Sequence, residues 1–204
     1  MNSQNDALHP NYNIICELVE EGSNVLDLGC GDGTLLKMLS EKKHTYGKGI
    51  EISQENVIKC INKGLSVIQG NIDEGLEDFK GQNIDYIILN QTLQSVHKPD
   101  FVIEEMLATG KKAIVSFPNF GYWRIRFYLL FKGKMPKSKM LPFEWFDTPN
   151  IHLLTVKDFF DFCEKRNISI SKTILIRKGR PIKSKFKRCF ADIFAEEVVF
   201  IISK

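Results

Sequence analysis

Residues 25–33 read Val-Leu-Asp-Leu-Gly-Cys-Gly-Asp-Gly, and few folds accommodate such a run. Val25 to Leu28 is an apolar stretch of the length of a buried strand, and glycines follow at 29, 31 and 33. Glycine reaches left-handed backbone angles without a Cβ penalty, so the chain can turn sharply there and lie close to a ligand. Thr34 to Lys43 continues as a helix. Strand, tight turn and helix make the opening unit of a doubly wound α/β sheet. Eighteen residues beyond Gly33, Glu51 lies at the end of a second strand, Tyr46 to Ile52. Ligands in such sheets sit beyond the carboxyl ends of the strands, where a carboxylate can accept hydrogen bonds from both hydroxyls of a ribose. Gly29, Gly31, Gly33 and Glu51 are therefore candidates for a nucleoside site.

The pattern downstream repeats the same alternation. Tyr12 to Val19 reads as a helix before the first strand, and Gln54 to Lys63 as a helix closed by Gly64. Leu65 to Gln69 is a third strand. Ile84 to Leu89, four of its six residues Ile or Leu, has the composition of a strand covered on both faces. Lys98 to Ala108, with Pro99 in its first turn, is helical, and Ala113 to Phe117 is a fifth strand. Val156, Phe159, Phe160 and Cys163 form an i, i+3, i+4, i+7 stripe on a later helix. Ile168 to Ile176 and Val198 to Ile202 supply the last two strands, the final one expected to run antiparallel. The expectation is one domain over residues 1–204: a mostly parallel seven-stranded sheet with helices on both faces and an insertion at about 118–152.

Composition narrows the setting. Met1 to Pro10 is polar and has no signal-peptide-like apolar segment, and no apolar run approaches membrane-spanning length, so a cytoplasmic protein with no membrane partner is expected. The five cysteines, at 16, 30, 60, 163 and 189, include no C-x-x-C pair, and the four histidines lack ligand spacing. Neither a disulfide framework nor a metal site is expected. Charge is unevenly placed: residues 1–120 hold 10 Lys and Arg against 17 Asp and Glu, whereas residues 121–204 hold 18 against 8. Basic side chains gather at Arg124 to Lys139 and at Lys172 to Arg188. Nucleic acid, an acidic protein surface, a phosphorylated substrate or plain solvent could each face them.

The spacing of the glycines distinguishes among nucleosides. A dinucleotide fingerprint needs glycine at 34, where this chain has Thr34, and its third glycine is Gly33 instead. With Asp27 two residues ahead, the run becomes D-x-G-x-G-x-G, and the chain resembles the class I methyltransferases that use S-adenosylmethionine (SAM). SAM has no pyrophosphate for a helix N-terminus to hold and presents a cationic amino-acid end, which Asp27 or Asp32 would suit. The resemblance implies a Rossmann-like fold binding SAM or its demethylated product, S-adenosylhomocysteine (SAH). It also implies further contacts: Ile52 after the second strand, and Asn71 and Ile72 against the adenine, with Asp73 as a substitute acid. Asn90 and Gln91 would lie near the methyl donor. The Asn/Asp-Pro-Pro-aromatic sequence of many nitrogen methyltransferases is absent after the fourth strand, as is the Pro-Cys pair of cytosine C5 chemistry. No nucleophile or general base stands out, and Cys30 reads as a small residue suited to a crowded turn.

The insertion is aromatic and basic, and holds both tryptophans, Trp123 and Trp145. Tyr122 to Phe131 reads as a short helix ended by Gly133, with Arg124 and Arg126 projecting outward. It could cover the methyl donor, present an apolar face to a partner, or pack as a lid. Leu26 to Gly33, Asn90-Gln-Thr-Leu-Gln94, Ser116-Phe-Pro-Asn-Phe-Gly121 and Asp147-Thr-Pro-Asn-Ile-His152 together resemble the bacterial MetW family over roughly residues 10–175. That resemblance implies a methionine biosynthesis protein associated with homoserine O-acyltransferase. Two readings follow. In one, the chain is an accessory subunit whose site holds SAM or SAH while the insertion meets the acyltransferase. In the other, it is a methyltransferase for a small molecule bound under the insertion, with Tyr122, Asp147 and His152 as candidate polar groups. RNA methylation is a weaker third, and a nucleic-acid partner is not favoured.

Overall fold

The computed structural model describes residue 9 and residues 11–138, 141–182 and 192–204. Of the features above, Met1 to Leu8, Pro10, Lys139, Cys189 and the 183–188 part of the second basic stretch lie outside the described residues. The strands are β1 (Asn24–Leu28), β2 (Tyr46–Glu51), β3 (Ser66–Gln69), β4 (Ile84–Asn90), β5 (Gly110–Pro118), β6 (Ser169–Arg177), β7 (Arg180–Pro181) and β8 (Glu197–Ser203). They form one sheet in the order β3-β2-β1-β4-β5-β8-β6-β7. β1 to β5 are parallel, and β8 is wedged antiparallel between β5 and β6.

The mostly parallel sheet with an antiparallel final strand is as expected, with one addition. Lys178 and Gly179 both take positive φ (49° and 71°), so the chain reverses within two residues and Arg180–Pro181 returns against β6. This two-residue strand makes the sheet eight-stranded rather than seven. It was hidden in the sequence because the turn sits inside a basic run, where charge masks the turn signal.

Among the described residues the α-helices of the layers and the insertion are α1 (Tyr12–Leu18), α2 (Thr34–Lys43), α3 (Gln54–Asn62), α4 (Pro99–Thr109), α5 (Trp123–Lys132) and α6 (Val156–Lys165). α5 belongs to the insertion and buries Ile125 with Tyr122 and Leu141 rather than against the sheet. Side chains alternate across a strand, so each strand feeds two cores. Leu26, Leu28, Ile87, Leu89, Val115, Phe117 and Phe200 join residues of α4 and α6 on one face. Val25, Tyr86, Ile88, Ile114 and Val199 join α1 and α2 on the other. Phe200 anchors the first core, its ring 4.6 Å from that of Phe159 and 5.9 Å from that of Phe117. α6 begins at a full capping box: the Thr155 hydroxyl accepts from the Asp158 N–H, and the Asp158 carboxylate accepts from the Thr155 N–H. No helix among the described residues is long and apolar enough to cross a membrane.

Candidate functional site

The carboxyl ends of β1, β2 and β4 meet where the glycine turn leaves β1 and enters α2. Gly29, Gly31 and Gly33 all have positive φ (68°, 56° and 78°), a conformation costly for any residue with a Cβ. The space around them differs. A Cβ on Gly33 would meet Leu65 at 2.4 Å, whereas one on Gly31 would meet nothing within 4 Å. Gly33 serves packing, and Gly31 leaves an open approach for a ligand. Cys30 fits the crowded side of the turn as expected, its Sγ 2.5 Å from where a Cβ on Gly49 would stand.

Glu51 ends β2 and faces this turn. One carboxylate oxygen accepts from the Gly31 N–H at 2.8 Å and the other from the Ser53 N–H at 2.9 Å. Each oxygen keeps a second lone pair, which is the acceptor set a vicinal diol needs. Ile52, next along the chain, is 66% exposed, an apolar side chain left at the edge of the site.

The two acids of the motif separate. Asp32 accepts from the Thr34 N–H and hydroxyl and pairs with the Lys63 ammonium at 2.6 Å. It locks the start of α2 to the end of α3. Asp27 is 2% exposed, and its carboxylate accepts no hydrogen bond from any described residue. Burial, with a smaller contribution from the charge on Glu51, pushes its carboxyl up to about 8. Of the two candidates for a ligand cation, the structure leaves Asp27 free and Asp32 engaged.

Beyond β3, Ile72 is buried, and the Asn71 side-chain oxygen accepts from the Asp73 N–H at 3.1 Å. Asp73 has a structural role in this structure. Its two oxygens accept the His97 and Lys98 N–H groups at 3.1 and 2.8 Å, holding the turn before α4.

Asn90 and Gln91, expected beside the methyl donor, belong to a buried polar network. The Asn11 amide donates to Asn90 at 2.6 Å, to the Ser116 hydroxyl at 3.2 Å and to Glu197. Gln91, at a left-handed φ of 56°, donates its amide to Glu197 at 2.7 Å. Glu197 is 1% exposed, and burial pushes its carboxyl up to about 7 despite these donors. Asn11, Ser116 and Glu197 were missed from the sequence. The available signal was an acid placed directly against the apolar run Val198 to Ile202.

The candidate catalytic residues do not form a constellation. Tyr122 is buried, and among the described residues neither its hydroxyl nor the buried Nε2 of His152 has a hydrogen-bond partner. Asp147 is exposed and accepts the Glu144 N–H at 2.9 Å. Among the described residues no hydrogen bond joins the three. Arg126 does not project freely as expected: it donates to the Gly121 carbonyl and pairs with the buried Asp192. Arg124 is exposed, its guanidinium 5.4 Å from the Trp123 ring centre.

Comparison with known proteins agrees with this geometry. A SAM-dependent methyltransferase of Thermotoga maritima, described as a possible histamine N-methyltransferase, superposes with a TM-score of 0.66 at 16% identity. The match covers 96% of this chain and 88% of that one. A SAM-dependent methyltransferase of Aquifex aeolicus gives 0.61 at 15% identity, covering 95% and 88%. The cyclase SpnF gives 0.64 at 14% identity, covering 95% and 80%. Likenesses at such low identity establish the class I methyltransferase fold and leave the chemistry open. A bifunctional methionine biosynthesis protein MetXA/MetW of Rhodopirellula baltica is 37% identical over 169 residues, which are 78% of this chain and 27% of that protein. The chain thus spans about a quarter of the relative's length. The family model for methionine biosynthesis protein MetW matches residues 9–202. The chain belongs to the MetW family.

Proposed function

We propose that this chain is a SAM- and SAH-binding subunit of methionine biosynthesis that acts with homoserine O-acyltransferase and docks on it through α5 and the segment following it. The observation that carries this reading is the apolar surface left uncovered there. On α5 Leu130 is 74% exposed, with Phe127 and Phe131 exposed and stacked on each other, and in the following segment Trp145 is 75% exposed and in ring contact with the exposed Phe146. Clustered aromatic and aliphatic side chains of this kind mark protein contacts rather than free surface. The relative that joins MetXA and MetW in one protein supports the pairing.

The residues at the carboxyl edge suit SAM. Asp27, buried and without a hydrogen-bond partner, is the acceptor for the ammonium of its amino-acid end. The gap over Gly31 admits the ligand close to the backbone. The free lone pairs of Glu51 take the ribose hydroxyls, and Ile52 and Ile72 offer apolar cover to the adenine. SAM brings a sulfonium methyl group, and the proposed role of the site is to report whether that group is present.

The test is light scattering of the purified chain with the acyltransferase of the same organism, with and without SAM, alongside the rate of homoserine acylation. Association, and a rate that changes with SAM, are expected. Separate elution with an unchanged rate overturns the proposal. One observation favours a second reading, methyl transfer to a small molecule under the insertion: the buried Tyr122 hydroxyl has no partner of its own. Transfer of labelled methyl from SAM into small molecules of a cell extract would establish it.

A further inference from the structure

A cavity of about 510 Å³ lies between α4 and α6, lined by the turn after β4 and by residues 152–154. Its size falls within the roughly 300–1,000 Å³ typical of small-molecule sites. Leu93, Ile103, Leu154, Phe159 and Phe162 make most of its wall apolar. Two carboxylates and two imidazoles also line it, and the carboxylates are already engaged. Asp100 pairs with Arg166 at 3.0 Å, and Asp158 accepts from the Thr155 N–H and hydroxyl at 2.9 and 2.8 Å.

The imidazoles of His97 and His152 remain. The Nε2 of His152 is buried without a hydrogen-bond partner. A buried polar atom left in that state is costly, and in a native protein calls for a water or a ligand. The main chain that carries His152 is held in place: both the Ile151 and His152 N–H groups donate to the Gln94 carbonyl, at 2.8 and 3.0 Å. The first turns of α4 and α6 also border the cavity, and their dipoles favour negative charge.

We propose that this cavity binds a small carboxylic acid, its apolar body against Phe159 and Phe162 and its carboxylate hydrogen-bonded to His152. With its proton on Nε2, His152 offers a donor that a carboxylate can use and an ammonium cannot, and both acids of the wall are already engaged. Its wall includes Leu93, in the turn after Asn90 and Gln91, which places the bound acid next to the proposed cofactor site but outside it.

The test titrates the nitrogen-15-labelled full chain with the straight-chain acids from butanoate to octanoate, and with hexanol as the uncharged control. The imidazole resonances of His152 and His97 are followed. A saturable shift of His152 is expected with at least one acid, with hexanol weaker by about tenfold. In His152→Leu that preference should vanish while the thermal midpoint does not fall, because the substitution removes an unsatisfied polar atom. Leu130→Ser, on α5, should leave acid binding unchanged and so separate this cavity from the exposed apolar face. Failure of every acid to shift His152, an undiminished preference in His152→Leu, or loss of binding in Leu130→Ser would each overturn the proposal.

Discussion

α4 and α5 are helices of nearly equal length and both rich in apolar residues, yet they are used in opposite ways. α4 buries Val102, Ile103, Met106 and Leu107 against the sheet. α5, of ten residues, buries Ile125 and leaves Phe127, Leu130 and Phe131 in solvent. In the segment that follows, Trp145 and Phe146 are exposed as well, edge to face with ring centres 5.6 Å apart. Apolar content by itself therefore does not report burial. α4 serves this chain's own stability, whereas α5 carries the surface proposed above for docking.

Five measurements test the use of these surfaces, and the core of α4 should show the greatest change. Met106→Ala, at a fully buried position of α4, should destabilise the chain by about 2–5 kcal/mol in denaturant unfolding. If the cost is under about 0.5 kcal/mol, the range of surface changes, α4 is not the packed helix described here. The double substitution Leu130→Ser and Phe131→Ser should weaken association with the acyltransferase by about 2 kcal/mol or more. Its unfolding free energy should stay within about 0.5 kcal/mol of the parent's. A large loss of stability would show that α5 packs on its own chain.

The cofactor side offers smaller effects. Glu51→Ala should weaken SAM binding by about 1–3 kcal/mol in calorimetry, through loss of the proposed ribose acceptor and of the bond that holds the Gly31 N–H, while the circular-dichroism melt stays cooperative. Unchanged affinity would place the ribose elsewhere.

The fourth measurement is pH dependence. Asp27 has its carboxyl raised from 3.8 to about 8, and Glu197 from 4.5 to about 7, both chiefly by burial. Between the unfolded and folded values the native state holds protons that the unfolded state lacks, so stability falls as pH rises through that window. The unliganded chain should melt lower at pH 8.5 than at pH 6, and Asp27→Asn should flatten the dependence. A cation bound at Asp27 favours the ionised form, so SAM affinity should rise with pH up to about 8. An affinity that falls over that range would remove Asp27 from the site. Last, Lys63→Met removes the partly exposed partner of Asp32 and should cost no more than about 1 kcal/mol.

Much of the cofactor edge was legible before any coordinates. Thr34 in place of a third fingerprint glycine, Glu51 at the end of β2 and the near-continuous Ile84 to Leu89 run each state a local requirement in residue type alone. The hairpin at Lys178 and Gly179 was not legible, and neither was the pairing of Arg126 with Asp192 or the use of Asp73 in the turn before α4. These depend on what stands opposite, which no single stretch of chain records.

The chain's residues determined the glycine turn, the order of strands and helices and the acid at the end of β2, because backbone angles and side-chain period are local properties. Tertiary structure decided that Asp27 rather than Asp32 is free, and that α5 is exposed while α4 is covered. It also brought Asn11 against Glu197, 186 residues away. The physical reason is common to all three: partnership and burial are set by surfaces that meet only when the crossovers lay distant segments on one sheet.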